Sequence, residues 1–179
     1  PQLQVIFLPY VFKSDEVAWW LFDNSKFWKD MVADFEKKTG MTMLAVGQNG
    51  TRHFTNSKRP IREPADMKGL KFRVMQSPIY VKMVEAMGAN AIPLASGEIY
   101  TAAQTGVVDG QENPIWNIAA NKWYEVQKYI TLDGHTWSEN FVLMNSKFYN
   151  KLPKEYQHAI RIASYHAQLA DRAAENMAS

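Results

Sequence analysis

The chain lacks cysteine, and this absence removes several kinds of chemistry. Without a thiol among its 179 residues, it has no disulfide bond, no thiol nucleophile and no cysteine-ligated metal. The sequence also has no run of about 18 apolar residues, so it predicts no membrane-spanning helix. Neither absence identifies the compartment in which the protein works.

An excess of charge of one sign is also missing. The 20 Lys and Arg residues are interleaved with 18 Asp and Glu residues, and the net charge is only +2. No basic stripe results, which argues against a nucleic-acid-binding surface. The apolar fraction of 46% is typical of a folded protein with a core and argues against a disordered chain.

Both ends of the sequence fall inside predicted elements. Val5–Pro9 has the apolar run of a buried strand, and neither an initiator methionine nor a signal peptide precedes it. Residues 173–179 belong to a predicted helix that no glycine or proline ends. We therefore expect the chain to be a segment of a longer protein, incomplete at both ends.

A short predicted strand at residues 70–74 carries the main candidate binding residue. Apolar and cationic residues alternate there, so Lys71 and Arg73 share one face. An arginine near the end of such a strand lies at the crevice where α/β sheets hold ligands, and its planar fork matches a carboxylate. The alternative is that Arg73 pairs with a neighbouring acid on a solvated face.

The order of predicted elements indicates an α/β protein with two lobes. A polar break at Gly47–Gly50 and a turn at Asp133–His135 are the candidate crossovers between the lobes. We expect residues 1–50 and 135–179 to form lobe I, including the start of a long helix. Residues 51–134 would then form lobe II, the carboxylate-binding lobe.

Lobe II gathers the polar residues of a candidate anion site. Arg52 and Arg73 each lie on a predicted short strand, and together they offer two anion-binding forks. Asn113 precedes Pro114, a pair typical of a helix start, so Asn113 could equally be only a helix cap. Ser96 is predicted to cap the helix Glu98–Thr105 in the same way.

Catalysis finds little support in the sequence. Asp109, Glu112, His135 and Glu139 could form an acid/base set, but no catalytic spacing or glycine-rich phosphate loop accompanies them. The four histidines have no metal-ligand spacing. We expect no catalytic residue, no metal and no cofactor.

Several motifs resemble the solute-binding proteins of tripartite ATP-independent periplasmic (TRAP) transporters. The resemblance covers most of the chain, and the run Asp109–Pro114 is quite specific. The similar stretches are Asn49–Arg52, Thr55–Ile61, Asp66–Val74, Gly88–Ala89, Gln104–Pro114 and Tyr124–Tyr129.

This resemblance implies a fold and a function. The fold is α/β, a type II-like periplasmic binding protein with two lobes, crossover strands and a long hinge-spanning helix. Such a protein captures a small organic acid in the periplasm by hinge closure, performs no chemistry on it, and delivers it to a membrane permease. The implied ligands are dicarboxylates, uronic acids and sugar acids. We expect a monomer that does not itself span the membrane and binds no nucleic acid.

The resemblance also assigns roles to five residues. Arg73 matches the arginine that pairs with the ligand carboxylate, and Arg52 matches a second basic contact, which we place nearer the rim. Asn113 matches an asparagine that contacts the ligand near that carboxylate. Gln76 and Ser96 fall at positions that line the pocket, and Ser96 replaces a frequent aromatic residue, which disfavours sialic acid.

Two other classes of function stay open from the residues alone. One is an enzyme acting on a sugar acid on a two-lobe scaffold, with Asp109, Glu112 and His135 as candidates. The other is the ligand-sensing lobe of a signalling receptor.

Overall fold

The computed structural model of the chain describes residues 2–178. The chain divides into two compact units. The first comprises Pro1–Ile6, Val11–Gly50 and Ser138–Ser179, and the second comprises Phe7–Tyr10 and Thr51–Trp137. No helix within residues 2–178 is long and apolar enough to cross a bilayer.

The first two α-helices begin at serines that cap them. Ser14 accepts a hydrogen bond from the Val17 amide and Ser25 accepts one from the Trp28 amide. The α-helices are α1 Asp15–Asn24, α2 Lys26–Thr39, α3 Pro78–Ala86, α4 Ile99–Gln104, α5 Ile115–Ala120, α6 Ser146–Lys151 and α7 Lys154–Ala178. Short 3-10 helices cover Gln2–Phe7, Pro64–Met67, Ser96–Glu98 and Trp123–Glu125.

Within residues 2–178, five strands form a mixed sheet. Their order across the sheet is β3-β2-β4-β1-β5. Strand β2 is parallel to both β3 and β4, and β4 is antiparallel to β1. The strands are β1 Met41–Asn56, β2 Lys71–Val74, β3 Asn90–Pro93, β4 Gly110–Pro114 and β5 Tyr129–Asn145.

The predicted strand at Val5–Pro9 is wrong. Gln2–Phe7 forms a 3-10 helix, in which Ile6 is buried while Val5 is exposed. The apolar run is thus only partly buried, and no strand pairs with it among the described residues. The predicted boundaries at Pro1 and Ser179 lie outside the described residues.

The predicted breaks at Gly47–Gly50 and Asp133–His135 do not interrupt their strands. β1 and β5 run through them without a change of secondary structure. Gly47 instead allows the Asp171 side chain to lie close to the backbone of β1, because a Cβ at this position would lie 2.1 Å from the Asp171 carboxylate.

In the first unit, α7 is bound to the backbone of β1 by three of its side chains. Gln168 accepts a hydrogen bond from the Val46 amide at 2.9 Å, and Asp171 accepts one from the Gln48 amide at 2.6 Å. Arg172 donates to the Val46 carbonyl at 3.0 Å. These bonds satisfy backbone groups that a neighbouring strand would otherwise satisfy.

The core of the second unit surrounds β2. Phe54 of β1 packs edge-on against Phe72 of β2, with ring centroids 5.3 Å apart. Gly110 allows this packing, since a Cβ there would lie 2.5 Å from the Phe72 ring and 2.3 Å from the Thr55 carbonyl oxygen. The buried members of the core are Phe54, Met67, Leu70, Phe72, Val74, Tyr80, Met83, Val84 and Ala89.

Candidate functional site

The carboxyl ends of three parallel strands meet at one edge of the sheet in the second unit. Arg73 of β2 is paired with Ile92 of β3 on one side and with Gln111 of β4 on the other. In α/β proteins, ligands bind in the crevice outside the carboxyl ends of such strands. This edge is therefore the candidate functional site.

All five residues singled out in the sequence lie at this edge. Arg73 and Asn113 are the penultimate residues of β2 and β4. Gln76 and Ser96 lie just beyond the carboxyl ends of β2 and β3. Arg52 reaches the same edge from antiparallel β1, where it is opposite the last residue of β4.

Arg73 is buried but has no acidic partner among the described residues. Its exposed fraction is only 3%. Its Nε donates to the Leu94 carbonyl oxygen at 2.9 Å, and within residues 2–178 no hydrogen bond or ion pair engages the two terminal nitrogens. Burial lowers the pKa of Arg73, and the nearby charge of Glu112 partly opposes this. The expected alternative, an ion pair on a solvated face, is therefore wrong.

The expected position of Arg52 nearer the rim is wrong, because its exposed fraction is only 2%. Its Nε and Nη2 both donate to the Glu112 carboxylate. The same Nη2 donates to the Glu112 carbonyl at 2.8 Å and to Asn113 Oδ1 at 3.1 Å. The guanidinium also lies over the Tyr80 ring, 5.4 Å from its centroid. One face of the Arg52 fork is thus engaged by the protein's own carboxylate, because β1 and β4 are adjacent.

Glu112 extends this ion pair into a row of alternating charges, which is buried except at Asp133. Its Oε2 lies 3.3 Å from His135 Nε2, and His135 Nδ1 lies 2.8 Å from Asp133 Oδ2. Burial raises the pKa of Glu112, but Arg52 and His135 outweigh it, and the pKa lies below its ordinary value. Burial lowers the pKa of His135, but Asp133 and Glu112 outweigh it, and the pKa is raised. Both groups therefore favour their charged forms.

These shifts predict how stability depends on pH. Because the pKa of His135 is raised on folding, its contribution is complete below the unfolded pKa of about 6.5 and is lost as pH rises through the folded pKa. Because the pKa of Glu112 is lowered, its contribution is present above about pH 4.5 and is lost as pH falls. Urea unfolding across the neutral and alkaline range should show the free energy of unfolding falling as His135 loses its proton.

The His135→Gln variant should lose this neutral-to-alkaline slope. His158→Gln, on an exposed position of α7, is the matched control and should keep it. An unchanged slope in His135→Gln would contradict the prediction.

Asn113 does not cap a helix. It lies within β4, paired with His53 of β1, and α5 begins only after Pro114. Pairing with β1 extends the strand through the Asn-Pro step and so removes the helix-cap explanation for Asn113. The Asn113 side chain instead bonds to Arg52 and Gln111.

Gln76 and Ser96 are both exposed at this edge. Ser96 is the first residue of a 3-10 helix rather than a helix cap. The cap interaction there is made by Glu98, which accepts a hydrogen bond from the Ala95 amide at 2.9 Å. The prediction that Ser96 caps a helix is wrong, and its hydroxyl is exposed beyond the end of β3.

Sequence reasoning missed two buried polar residues that support Asn113. Gln111 is fully buried and accepts a hydrogen bond from Asn113 Nδ2 at 2.6 Å. Thr55 is buried beside it and accepts from Gln111 Nε2 at 2.8 Å. The available signal was the polar run Gln111–Asn113, which is too polar for a buried strand unless its side chains bond to one another.

The candidate catalytic residues are not assembled. Glu112 and His135 touch, but Asp109 accepts a hydrogen bond from the Lys71 amide at 2.9 Å, at the opposite, amino end of β2. Among residues 2–178, no group of His, Asp and Glu is arranged to hold a metal ion.

Several known proteins are similar to this chain in sequence. A solute-binding protein of Verminephrobacter eiseniae is 37% identical over 173 residues, which cover 97% of this chain and 51% of the relative. The 2,3-diketo-L-gulonate-binding periplasmic protein YiaO of Escherichia coli is 36% identical over 160 residues, 89% of this chain and 48% of its own. The chain spans about half the length of the curated relatives it matches.

Solved structures show the same fold. The sugar acid binding protein DctPAm of Advenella mimigardefordensis, in complex with galactonate, superposes with a TM-score of 0.94 at 34% identity. The match covers 99% of this chain and 56% of that one. The expected α/β fold of the periplasmic solute-binding proteins is therefore confirmed.

A protein family also matches almost the whole chain. The family of bacterial extracellular solute-binding proteins, family 7 (DctP), matches residues 1–178. The chain belongs to this family, and the resemblance to TRAP solute-binding proteins is confirmed.

Proposed function

We propose that this chain forms the carboxylate-binding part of a periplasmic solute-binding protein for a small organic acid. The observation that carries the proposal is the Arg73 guanidinium, buried at the carboxyl edge of the sheet with its terminal nitrogens unpaired among the described residues. A buried cation is unfavourable without a partner. A ligand carboxylate would supply that partner in the two-pronged geometry that arginine favours.

The other residues of the edge fit roles around that carboxylate. Asn113 lies beside Arg52 and would contact the ligand near its carboxylate. Arg52 stays a proposed basic contact, and it also holds Glu112 and Asn113 in place. Gln76 and Ser96, exposed beyond β2 and β3, would contact the remainder of the ligand. The ligand class is supported by YiaO and DctPAm, whose names specify sugar acids or related compounds.

The delivery mechanism is also a proposal. Residues 1–50 and 135–179 would form one lobe and residues 51–134 the carboxylate-binding lobe, and the protein would close by a hinge when ligand binds. The closed, monomeric protein would be recognised by a TRAP-type membrane permease, with no chemistry performed on the solute. Family membership supports this proposal.

A thermal-shift panel tests the ligand class. D-galactonate, D-galacturonate and succinate are compared with D-galactose, D-galactonamide and succinamide on the purified protein. At 100 times its Kd a ligand stabilises a protein by about 2.7 kcal/mol, or roughly 5–10 °C in Tm for this size. We expect such a shift from at least one acid and from none of the neutral compounds.

Equal stabilisation by a neutral sugar, or no response to any acid, would contradict the proposal. Mass spectrometry of the recovered acid distinguishes binding from turnover. An unchanged acid supports a binding protein, and a converted acid would support the enzyme alternative.

A further inference from the structure

A row of hydrogen-bonded side chains passes through Asn113 in the second unit. Four of its members are buried side chains of β1, β4 and the segment before β5. We call this row the amide relay, and it consists of Asn121, Asn117, Asn113, Gln111, Thr55, Gln127 and the carbonyl of Val126.

The first half of the amide relay runs from α5 to β4. Asn121 Nδ2 donates to Asn117 Oδ1 at 2.6 Å, and Asn117 Nδ2 donates to Asn113 Oδ1 at 3.3 Å. Asn113 Nδ2 then donates to Gln111 Oε1 at 2.6 Å. Asn117 and Asn113 thus each accept from the α5 side and donate toward the centre of the sheet.

The second half continues in the same sense across β1. Gln111 Nε2 donates to Thr55 Oγ1 at 2.8 Å, and Thr55 Oγ1 donates to Gln127 Oε1 at 3.1 Å. Gln127 Nε2 donates to the Val126 carbonyl oxygen at 2.9 Å. All six hydrogen bonds therefore point the same way.

Groups of fixed polarity prevent the direction from reversing. The Arg52 guanidinium can only donate, so the atom of Asn113 that faces it at 3.1 Å must be the oxygen. At the far end, the Val126 carbonyl can only accept, so Gln127 must present its NH₂ group. Thr55, whose hydroxyl both donates and accepts, joins the two amides between these anchors.

The hydrogen-bonding capacity left to Asn113 follows from this direction. Its Oδ1 accepts from Arg52 and Asn117, which uses both lone pairs. Its Nδ2 donates one hydrogen to Gln111, and the second has no partner among the described residues. Asn113 therefore has a donor to offer and no acceptor.

We infer that the amide relay fixes Asn113 as a donor toward the ligand, so that the site selects a carboxylate over the corresponding carboxamide. This inference rests on the proposed function, in which Arg73 and Asn113 meet the same ligand group. Arg73 is also donor-only. A carboxylate oxygen satisfies both residues, whereas the NH₂ group of a carboxamide would face donors and stay unpaired. Thr55 and Gln111 are then positioning residues for ligand selectivity.

The test compares two substitutions at Thr55. Thr55→Val keeps the side-chain shape but removes the hydroxyl, which leaves Gln111 Nε2 without its acceptor and releases the Gln111 oxygen from its fixed position. We expect D-galactonate to bind about tenfold more weakly, the effect of losing one hydrogen bond to a charged group. The affinity ratio of D-galactonate to D-galactonamide should fall by a similar factor. Thr55→Ser restores the hydroxyl and should restore both values.

Thr42→Val is the matched control for stability. Thr42 is also a buried threonine of β1, and its Oγ1 is hydrogen-bonded to Ser146 Oγ at 2.8 Å, outside the amide relay. This variant should lower Tm as Thr55→Val does. It should leave the affinity for D-galactonate and the carboxylate-to-carboxamide ratio unchanged.

A second variant tests the other end of the relay and does not disturb the core. Asn117→Ala, on α5, frees one lone pair of Asn113 Oδ1, and alanine is a good helix former. An acceptor then becomes available to the ligand. We expect D-galactonamide to bind several-fold more tightly, so the ratio falls because carboxamide affinity rises.

Titration calorimetry with D-galactonate and D-galactonamide, and with succinate and succinamide, separates the outcomes. If the wild type binds an acid but folded Thr55→Val and Asn117→Ala keep its selectivity, the inference is overturned and the proposed function stands. If the wild type binds none of the acids, the proposed function fails. In that case the amide relay is tested by the NMR signals of the Asn113 side-chain amide. These signals should shift in Thr55→Val and return to their wild-type positions in Thr55→Ser. Unchanged signals in Thr55→Val would overturn the inference.

Discussion

Replacing Arg73 by lysine is expected to weaken binding of the acid by between about 30-fold and several thousand-fold, equivalent to roughly 2–5 kcal/mol. Lysine keeps the positive charge but lacks the planar fork that bonds both oxygens of a carboxylate. It also lacks an Nε–H to bond the Leu94 carbonyl, which orients the Arg73 guanidinium at 2.9 Å. Titration calorimetry with the acid that gives the largest thermal shift measures the loss.

Arg62→Lys is the matched control. Arg62 is an exposed arginine of the same unit, and its replacement should leave affinity within about twofold, because exposed charges contribute little. Melting curves of both variants separate lost binding from lost folding. If Arg73→Lys folds normally and binds within about threefold of the wild type, the assignment of Arg73 to the ligand carboxylate is wrong.

Removing the charge of Glu112 is expected to destabilise the fold by about 3–5 kcal/mol, because Arg52 would stay buried without its counter-charge. Glu112 is fully buried, and Arg52 is bound to it through two nitrogens. Glu112→Gln also removes the anion beside His135 Nε2. Urea unfolding gives the change in the free energy of unfolding, with a constant m-value as the sign of unchanged two-state behaviour.

The control for this loss is an exposed ion pair. Glu85→Gln breaks the i,i+3 pair with Lys82 on α3 and should cost less than about 1 kcal/mol. The double variant Arg52→Met/Glu112→Leu should be less destabilised than Glu112→Gln, since it does not leave Arg52 buried without its counter-charge. If Glu112→Gln costs no more than Glu85→Gln, the row of charges does not stabilise the fold.

Local patterns were sufficient to predict the strand that carries Arg73. Alternation at residues 70–74 located β2, and serine and glycine located both ends of α2. The parallel order of β3, β2 and β4 then follows from helices placed between strands. Arg73 could be found in this way because its position depends on one strand and the crevice beyond it.

The errors arose where long-range pairing overrides local sequence signals. Glycines at 47 and 50 indicate a break, but in β1 the first of them makes room for Asp171 of α7. Asn113-Pro114 indicates a helix start, but β1 pairs with the segment and extends the strand through Asn113. Neither neighbour is visible in the local sequence.

The electrostatic character of the site could not be predicted for a related reason. Arg52 and Arg73 are alike at the level of sequence, since each is a cation on a predicted short strand. Only strand order decides that Arg52 lies beside Glu112 while Arg73 has no acid within hydrogen-bonding distance among the described residues. The number of charges alone suggests two equivalent arginines that could bind an anion. The strand order places Arg52 beside Glu112, so Arg52 is largely structural.

The attachment of α7 to β1 has a consequence for how the protein behaves at high concentration. A free strand edge is a template for pairing with another molecule, and such pairing leads to aggregation. Gln168, Asp171 and Arg172 bind the amide and carbonyl groups of Val46 and the amide of Gln48. An incoming strand would have to displace all three side chains, so this stretch of β1 is closed to self-association.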